Sequence, residues 1–234
     1  MRTEAKGYFL KEYGSWIVLT IAYLVGLSVS HGVIPFSALP LFVSLGLLIN
    51  SKQAFTRWVR GKGDKRALII FLGQIAVATL MLLTIFREDV PRLLPLLVIP
   101  AAYLLMHKFA GEHFVLTEML GFALLSLAAM LAKFLITNGL DVRLFVCTAL
   151  YFTSNVLKIK SVLFKKPMDR GFTVLYALFA VLVYRGFHLS LLILLPLIDN
   201  LVAAVTLYKV RLQATGWIEV VKSFGFLFLM WLYY

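Results

Sequence analysis

Two stretches decide how this chain is arranged. The first is Asn50-Ser-Lys-Gln-Ala-Phe-Thr-Arg-Trp-Val-Arg-Gly-Lys-Gly-Asp-Lys-Arg66; the second is Asn155-Val-Leu-Lys-Ile-Lys-Ser-Val-Leu-Phe-Lys-Lys-Pro-Met-Asp-Arg170. Each is dense in Lys and Arg, and each follows directly on an apolar run. The chain around them is greasy. Of its 234 residues 62% are hydrophobic and 15% charged, where soluble domains hold about 45–50% and about 25%. Mean hydropathy is +0.93. A water-soluble core of this size would have no use for so much Leu, Ile, Val and Phe, so the sequence reads as a polytopic membrane protein. Disordered, fibrous and disulfide-scaffold classes are excluded. Cys147 is the only cysteine, so the chain forms no internal disulfide.

A membrane span needs about 20 predominantly apolar residues. Apolar runs near 15–30, 34–50, 67–86, 90–107, 114–135, 142–158, 171–186, 187–208 and 216–234 predict nine helical spans in a single transmembrane domain, 1–234. Pro35, Pro40, Pro95, Pro100 and Pro196 fall inside these runs, where neighbouring helices must satisfy the freed carbonyls. The net charge of +12 would suggest nucleic acid in a soluble protein, but cytoplasmic loops of membrane proteins collect Lys and Arg. With the N-terminus inside, Arg2, Lys6 and Lys11 share the cytoplasmic face with both basic stretches, Lys108, Lys209 and Arg211. The opposite face holds only Arg87, Arg92, Arg143 and Arg185. Dropping any one of spans three to six would put the two basic stretches on opposite sides. The chain is therefore expected N-in and C-out, with membrane lipids and no nucleic acid as partners. Met1 to Gly14 is charged and shows no cleavable signal pattern. Trp231, Tyr233 and Tyr234 suit an interfacial aromatic belt on the non-cytoplasmic side.

Aligning Asn50 with Asn155 pairs Arg60 with Lys165, Asp64 with Asp169 and Lys65 with Arg170. The match is either an internal duplication, as in membrane proteins that bind ligands between repeats, or a coincidence of two basic loops. The chemistry is clearer than the ancestry. Asn50, Arg57, Arg60, Asn155, Lys158 and Lys160 form a candidate ring for an anionic head group, a phosphate, diphosphate or carboxylate. The alternative is contact with anionic lipids of the inner leaflet, at about 1 kcal/mol per basic residue. Asp199 lies deep in the eighth span beside Asn200, where a carboxylate is costly unless paired, hydrated or protonated. It and Glu118 are the candidate catalytic or proton-exchanging groups; the structural alternative for Asp199 is a bond to another helix or to Lys222. Glu219 and Lys222 stand three apart and can pair, and Lys133 and Lys222 can snorkel to the membrane edges. His31, His107, His113 and His188 have no metal-ligand spacing. No phosphate loop, nucleophile elbow or paired-cysteine motif occurs. No metal or other cofactor is expected.

Lys11-Glu12-Tyr13-Gly14-Ser15-Trp16 resembles the opening of the YwiC-like family of bacterial and archaeal membrane proteins. Glu112-His-Phe-Val-Leu-Thr-Glu118-Met-Leu-Gly121, Thr153-Ser-Asn-Val-Leu-Lys-Ile-Lys160 and Ala214-Thr-Gly216-Trp-Ile-Glu219 are similar to the same family. That resemblance implies a bacterial or archaeal cytoplasmic membrane but supplies no reaction. More distantly the chain is similar to the UbiA superfamily of intramembrane prenyltransferases, nine-helix N-in proteins with functional loops after helices two and six. Thr117-Glu118-Met-Leu-Gly121 matches a helix-five pattern found there. The family's aspartates, which hold Mg²⁺ against a prenyl diphosphate, are replaced after Asn50 by Ser51, Ala54 and Trp58. Mg²⁺ wants oxygen ligands, so the resemblance implies the fold without the metal. The expected function is a cytoplasm-facing cavity for an anionic amphipathic lipid (isoprenoid phosphate, quinone precursor or phospholipid), in a divergent UbiA-like transferase if it is an enzyme. The alternative is a non-enzymatic membrane factor, a small-molecule transporter or a respiratory assembly partner.

Overall fold

The computed structural model describes residues 13–60, 64–164, 167–206 and 212–234, with the side chains of Arg60, Leu163, Phe164, Leu212 and Gln213 outside that description. Every regular element among the described residues is helical. In order they are α1 (Tyr13–Ser28), α2 (Ala38–Arg60), α3 (Lys65–Ile85), α4 (Val90–Leu93), α5 (Val98–Ala110), α6 (Val115–Thr137), α7 (Val142–Phe164), α8 (Pro167–Gly186), α9 (Ile198–Thr206) and α10 (Leu212–Tyr233). Short 3-10 segments, Leu94–Leu97 and Leu191–Leu197, lead into α5 and α9. Seven helical stretches among the described residues are long and apolar enough to cross a membrane: Ala38–Val59, Lys65–Ile85, Val90–Ala110, Val115–Thr137, Val142–Val162, Pro167–Gly186 and Ala214–Tyr233. Tyr13–Ser28 and Leu191–Thr206 are apolar but shorter. This is the architecture of a helical integral membrane protein.

One sequence expectation needs correction, and another feature becomes specific: the proline-bearing runs at 90–107 and 187–208 are broken into shorter helical segments. Pro95 and Pro196 sit in the 3-10 segments, because proline lacks an N–H and its ring crowds the carbonyl four residues back. The correction is that the basic stretches are not loops from their first residue. α2 runs through to Arg60 and α7 through to Phe164. From Asn50 and Asn155 onward neither helix meets a Gly or Pro before Gly61 and Pro167, and Ala, Gln, Lys, Arg and Leu favour helix. Lys62, Lys165 and Lys166 lie outside the described residues. Asp64 caps α3, its carboxylate accepting from the Arg66 N–H at 3.0 Å.

The chain divides into two compact units. The first is built on Pro35–Leu96 and pairs α2 with α3. Ser44 donates its hydroxyl to the Ala78 carbonyl across the pair at 2.9 Å, and Phe55 meets Phe71 at 5.2 Å. Gly46 makes room for the Trp16 ring, which a methyl group there would meet at 3.1 Å. Ile69, Leu72, Val77, Leu80 and Leu83 of α3 are exposed, an apolar face suited to lipid rather than water.

The second unit holds Ile17–Ile34 and Leu97–Tyr234. Its centre is α7, where Leu144, Cys147, Tyr151 and Phe152 are fully buried. α6 turns into α7 through Asn138, whose left-handed backbone (φ 51°) donates its N–H to the Phe134 carbonyl at 2.8 Å. Gly26 of α1 lies against α6 so closely that an added methyl group would fall 2.1 Å from the Ala129 carbonyl oxygen. Close backbone approach at small residues is how helices pack where lipid removes the hydrophobic drive. Hydroxyls in this unit fold back onto their own helix, Thr148 to Leu144 and Ser161 to Leu157, satisfying donors that have no water to turn to.

Candidate functional site

Helical spacing puts Ser154, Asn155 and Lys158 on one face of α7, and Glu219, Lys222 and Ser223 on one face of α10. Between them stands the start of α9, where the 3-10 segment gives way to α-helix just ahead of Asp199 and Asn200. Asp199 occupies the first turn of α9, where the helix dipole favours a negative charge. The three elements close a single polar network. Lys158 donates to the Asp199 and Glu219 carboxylates. Lys222 lies 3.0 Å from both of those carboxylates and also donates to the Asn200 side-chain oxygen. Asn200 in turn donates to Ser154 at 2.9 Å and to Asn155 at 3.0 Å. The network holds two lysines and two carboxylates, and its formal charge is zero.

Burial within it is layered. The Lys158 side chain is 3% exposed and Lys222 9%, whereas Asp199 is 28% and Glu219 18% exposed. The same order recurs beside it. Lys160, on an adjacent face of α7, reaches Glu118 of α6 at 3.0 Å and the His113 carbonyl at 3.1 Å. His113 Nδ1 is 3.7 Å from the same carboxylate. In each case the ammonium lies deeper and the carboxylate nearer the surface. Losing one partner of such a buried pair costs about 3–5 kcal/mol, because the other charge is then left uncompensated.

No protein-family model, curated protein or solved structure matches this chain. The site is therefore read from its own chemistry. Among the sequence candidates, Asn155, Lys158 and Asp199 come together in the α7–α9–α10 network, and Glu118 meets Lys160 in the neighbouring pair. Asn50 and Arg57 belong to α2 in the other unit, Asn50 buried and Arg57 half-buried. Arg60 closes α2, its side chain outside the description. Of the two options the sequence left for Lys222, snorkelling or pairing, the structure has the pairing: Lys222 is buried and held by Glu219, Asp199 and Asn200. Sequence reasoning missed Asn200 and Ser154 as the bridge to Asn155. The signal was the pairing of Ser154-Asn155-Lys158 with Glu219-Lys222-Ser223 at helical spacing on two separate spans. Among the described residues no three His, Cys, Asp or Glu side chains gather where they could hold a metal ion.

A second charged group sits at the other end of α7. Asp141 caps the helix by accepting from the Leu144 N–H at 3.1 Å. It also takes Lys133 at 2.8 Å and the Tyr234 hydroxyl at 2.9 Å. The Lys133 ammonium lies 4.9 Å from the centre of the Tyr234 ring. Burial alone would push the Asp141 carboxyl up, but these hydrogen bonds and the lysine charge outweigh it and hold it below its ordinary value. The Tyr234 hydroxyl is pushed the opposite way, by burial first and then by its bond to the carboxylate. Tyr234 thus ties the end of α10 to the α6–α7 turn, while Trp231 and Tyr233 remain exposed.

Proposed function

We propose that this integral membrane protein binds an amphiphile with an anionic head group at the α7–α9–α10 network, in a UbiA-like bundle of nine spans with the N-terminus in the cytoplasm. The observation that carries the reading is the set of buried lysines, each compensated by a carboxylate of the chain itself. Those carboxylates stand where a ligand's anion can take over. Lys158 and Lys222 would hold the head group as paired point charges. Asn155 and Asn200 supply both donors and acceptors. A groove of about 500 Å³ between α1 and α10, lined by Leu24, Leu27, Ile34, Phe224, Leu227 and Phe228 among others, offers an apolar track along the helix that carries Glu219 and Lys222. In the other unit Asn50, Arg57 and Arg60 are proposed to meet anionic lipid at the inner leaflet. An isoprenoid phosphate, a quinone precursor and a phospholipid all fit this chemistry. Lipid transfer without Mg²⁺ is the matching reaction class, in the cytoplasmic membrane of a bacterium or archaeon as the YwiC-like resemblance implies.

Native mass spectrometry of the purified protein tests the reading. An anionic lipid should remain bound to the wild type and be lost from Lys158→Met and Lys222→Met. Unchanged lipid content in both variants, with each still folded, would refute it.

A specific observation also favours a carrier. Asp199 and Asn200 lie at the break between a 3-10 and an α-helical segment within an apolar stretch, and transporters place substrate and ion sites at such discontinuities. Flux in proteoliposomes that disappears in Asp199→Asn, while retention of anionic lipid does not, would select this second reading.

A further inference from the structure

Two hollows adjoin at the end of the second unit remote from the buried network. Asp141 stands at the start of α7, and Lys158 lies about 25 Å further along that helix. The first hollow, about 400 Å³, opens at the α6–α7 turn and is lined by Lys133, Thr137, Asp141 and Arg143 among others. The second is the apolar groove between α1 and α10, which reaches from Phe224 to Trp231. Tyr234 joins the two. It stands one turn after Trp231, its N–H still bonded to the Met230 carbonyl at 3.0 Å, and it donates its hydroxyl to Asp141 at 2.9 Å. On the α1 side, Gly32 lies so close to α6 that an added methyl group would fall 2.5 Å from the Ile136 side chain. Ile34 of the groove and Thr137 of the polar hollow flank that contact in sequence. The polar hollow carries a net positive charge. Lys133 and Asp141 cancel at 2.8 Å, but Arg143 Nε stops 4.0 Å from the same carboxylate, too far for a hydrogen bond. The Arg143 side chain is 63% exposed, so its N–H groups remain available to a second anion.

An apolar groove that ends in a positive hollow is complementary to an amphiphile with an anionic head. Going beyond the anion-binding reading of the α7–α9–α10 network, we propose that this end of the protein holds a second amphiphile, an anionic phospholipid of the leaflet facing away from the cytoplasm, with its phosphate on Arg143 and Lys133 and one acyl chain in the α1–α10 groove. Arg143 takes the phosphate with a fork of parallel N–H groups, and the Lys133 ammonium adds a point charge behind it. Asp141 sets the preference. It leaves the hollow one net positive charge, which suits a head group with one net negative charge. Phe224 and Trp231 are about 10 Å apart along α10, a length that fits within one leaflet of a hydrocarbon core about 30 Å thick. Trp231 stands where the chain gives way to the head group, the level that suits its ring best. The chain thus enters at Trp231 and points toward Phe224, the reverse of a ligand whose head group lies at Lys222.

The test uses the full chain in detergent and a short-chain phosphatidylglycerol carrying a diazirine at the end of one acyl chain, with the labelled residues mapped by mass spectrometry after illumination. The wild type should be labelled beside Phe224. Arg143→Gln should lower that labelling about fivefold, the equivalent of about 1 kcal/mol. Arg185→Gln, which removes another exposed cation expected on the same face, should leave it within twofold of wild type. Phosphatidylcholine with the same chains should label the wild type as weakly as phosphatidylglycerol labels Arg143→Gln. Labelling of Arg143→Gln within twofold of wild type overturns the proposal, and so does an equal fall in Arg185→Gln, which marks diffuse surface charge. Equal labelling by phosphatidylcholine marks a groove for lipid chains with no head-group site, and displacement by inorganic phosphate at equal concentration marks a site for a free anion; either result overturns it. Label beside Trp231 that disappears in Lys158→Met puts the head group at the buried network, which overturns this second site and leaves the anion-binding reading standing. If Arg143→Gln does not fold, Leu24→Trp decides, since it fills the groove from an exposed position and keeps Arg143. Label retained beside Phe224 in that variant overturns the proposal.

Discussion

Replacing Lys158 with methionine is the most direct probe of the buried network, since it keeps most of the side chain's apolar stem and removes the ammonium with its hydrogen bonds. Asp199 and Glu219 would then share Lys222, which already lies 3.0 Å from each. Two carboxylates against one ammonium leave a net negative charge among α7, α9 and α10. Breaking a buried pair in this way costs about 3–5 kcal/mol. The lower end applies here, because Asp199 is 28% exposed and Lys222 still compensates part of the charge. For a chain of this length about 3 kcal/mol corresponds to a fall in melting temperature of roughly 6–12 °C, readable by differential scanning fluorimetry in a mild detergent. The double variant Lys158→Met, Asp199→Leu restores neutrality. It should therefore be more stable than the two single losses added together, with a coupling of about 1–3 kcal/mol. A single variant within 1 °C of wild type, or a double variant that is merely additive, would show that the charges are already satisfied by solvent and would sink the argument.

Other parts of the structure give sharp expectations. Gly26→Val places side-chain atoms into the Ala129 carbonyl and should leave little folded protein on size-exclusion chromatography, whereas Gly14→Ala, with open space around it, should elute as wild type. Ser44→Ala removes the α2–α3 hydrogen bond and should lower stability by about 1 kcal/mol in a denaturant titration. The folded Asp141 carboxyl titrates below its unfolded value of about 3.9, so the unfolded chain binds more protons between those two values. The stability Asp141 contributes is complete above about pH 5 and is lost as pH falls through the folded value. Melting temperatures between pH 3 and pH 6 should fall more steeply for wild type than for Asp141→Asn, and parallel curves would contradict this.

How far the sequence could be read depended on the range of each interaction. Fold class was legible because hydropathy is a property of each segment alone. The pairing of Glu219 with Lys222 was legible because three residues on a helix fix the distance, and Asp199 with Lys222 was recognised as an option because both are ionisable groups in apolar runs. The partners of Lys158 were not. Asp199 and Glu219 lie 41 and 61 residues further on, and only packing decides which of several helix faces meet. Counting Lys158 and Lys160 among loop residues also hid them, because charge was taken as the mark of a loop. The helical propensity of the flanking residues was the better guide.

The separation of the network along the chain bears on how the protein is made. Lys158 leaves the ribosome before either acid that later neutralises it, and Glu219 follows 61 residues behind. At about 5–20 residues per second synthesis takes roughly 3–12 s to cover that interval. Until Asp199 follows, 41 residues behind, the α7 segment carries an uncompensated ammonium, and it has reason to linger at the membrane boundary until α9 and then α10 are delivered. Insertion of the last third of the chain is thereby a concerted event, and a truncation before Glu219 should strand α7 as a target for quality-control proteases.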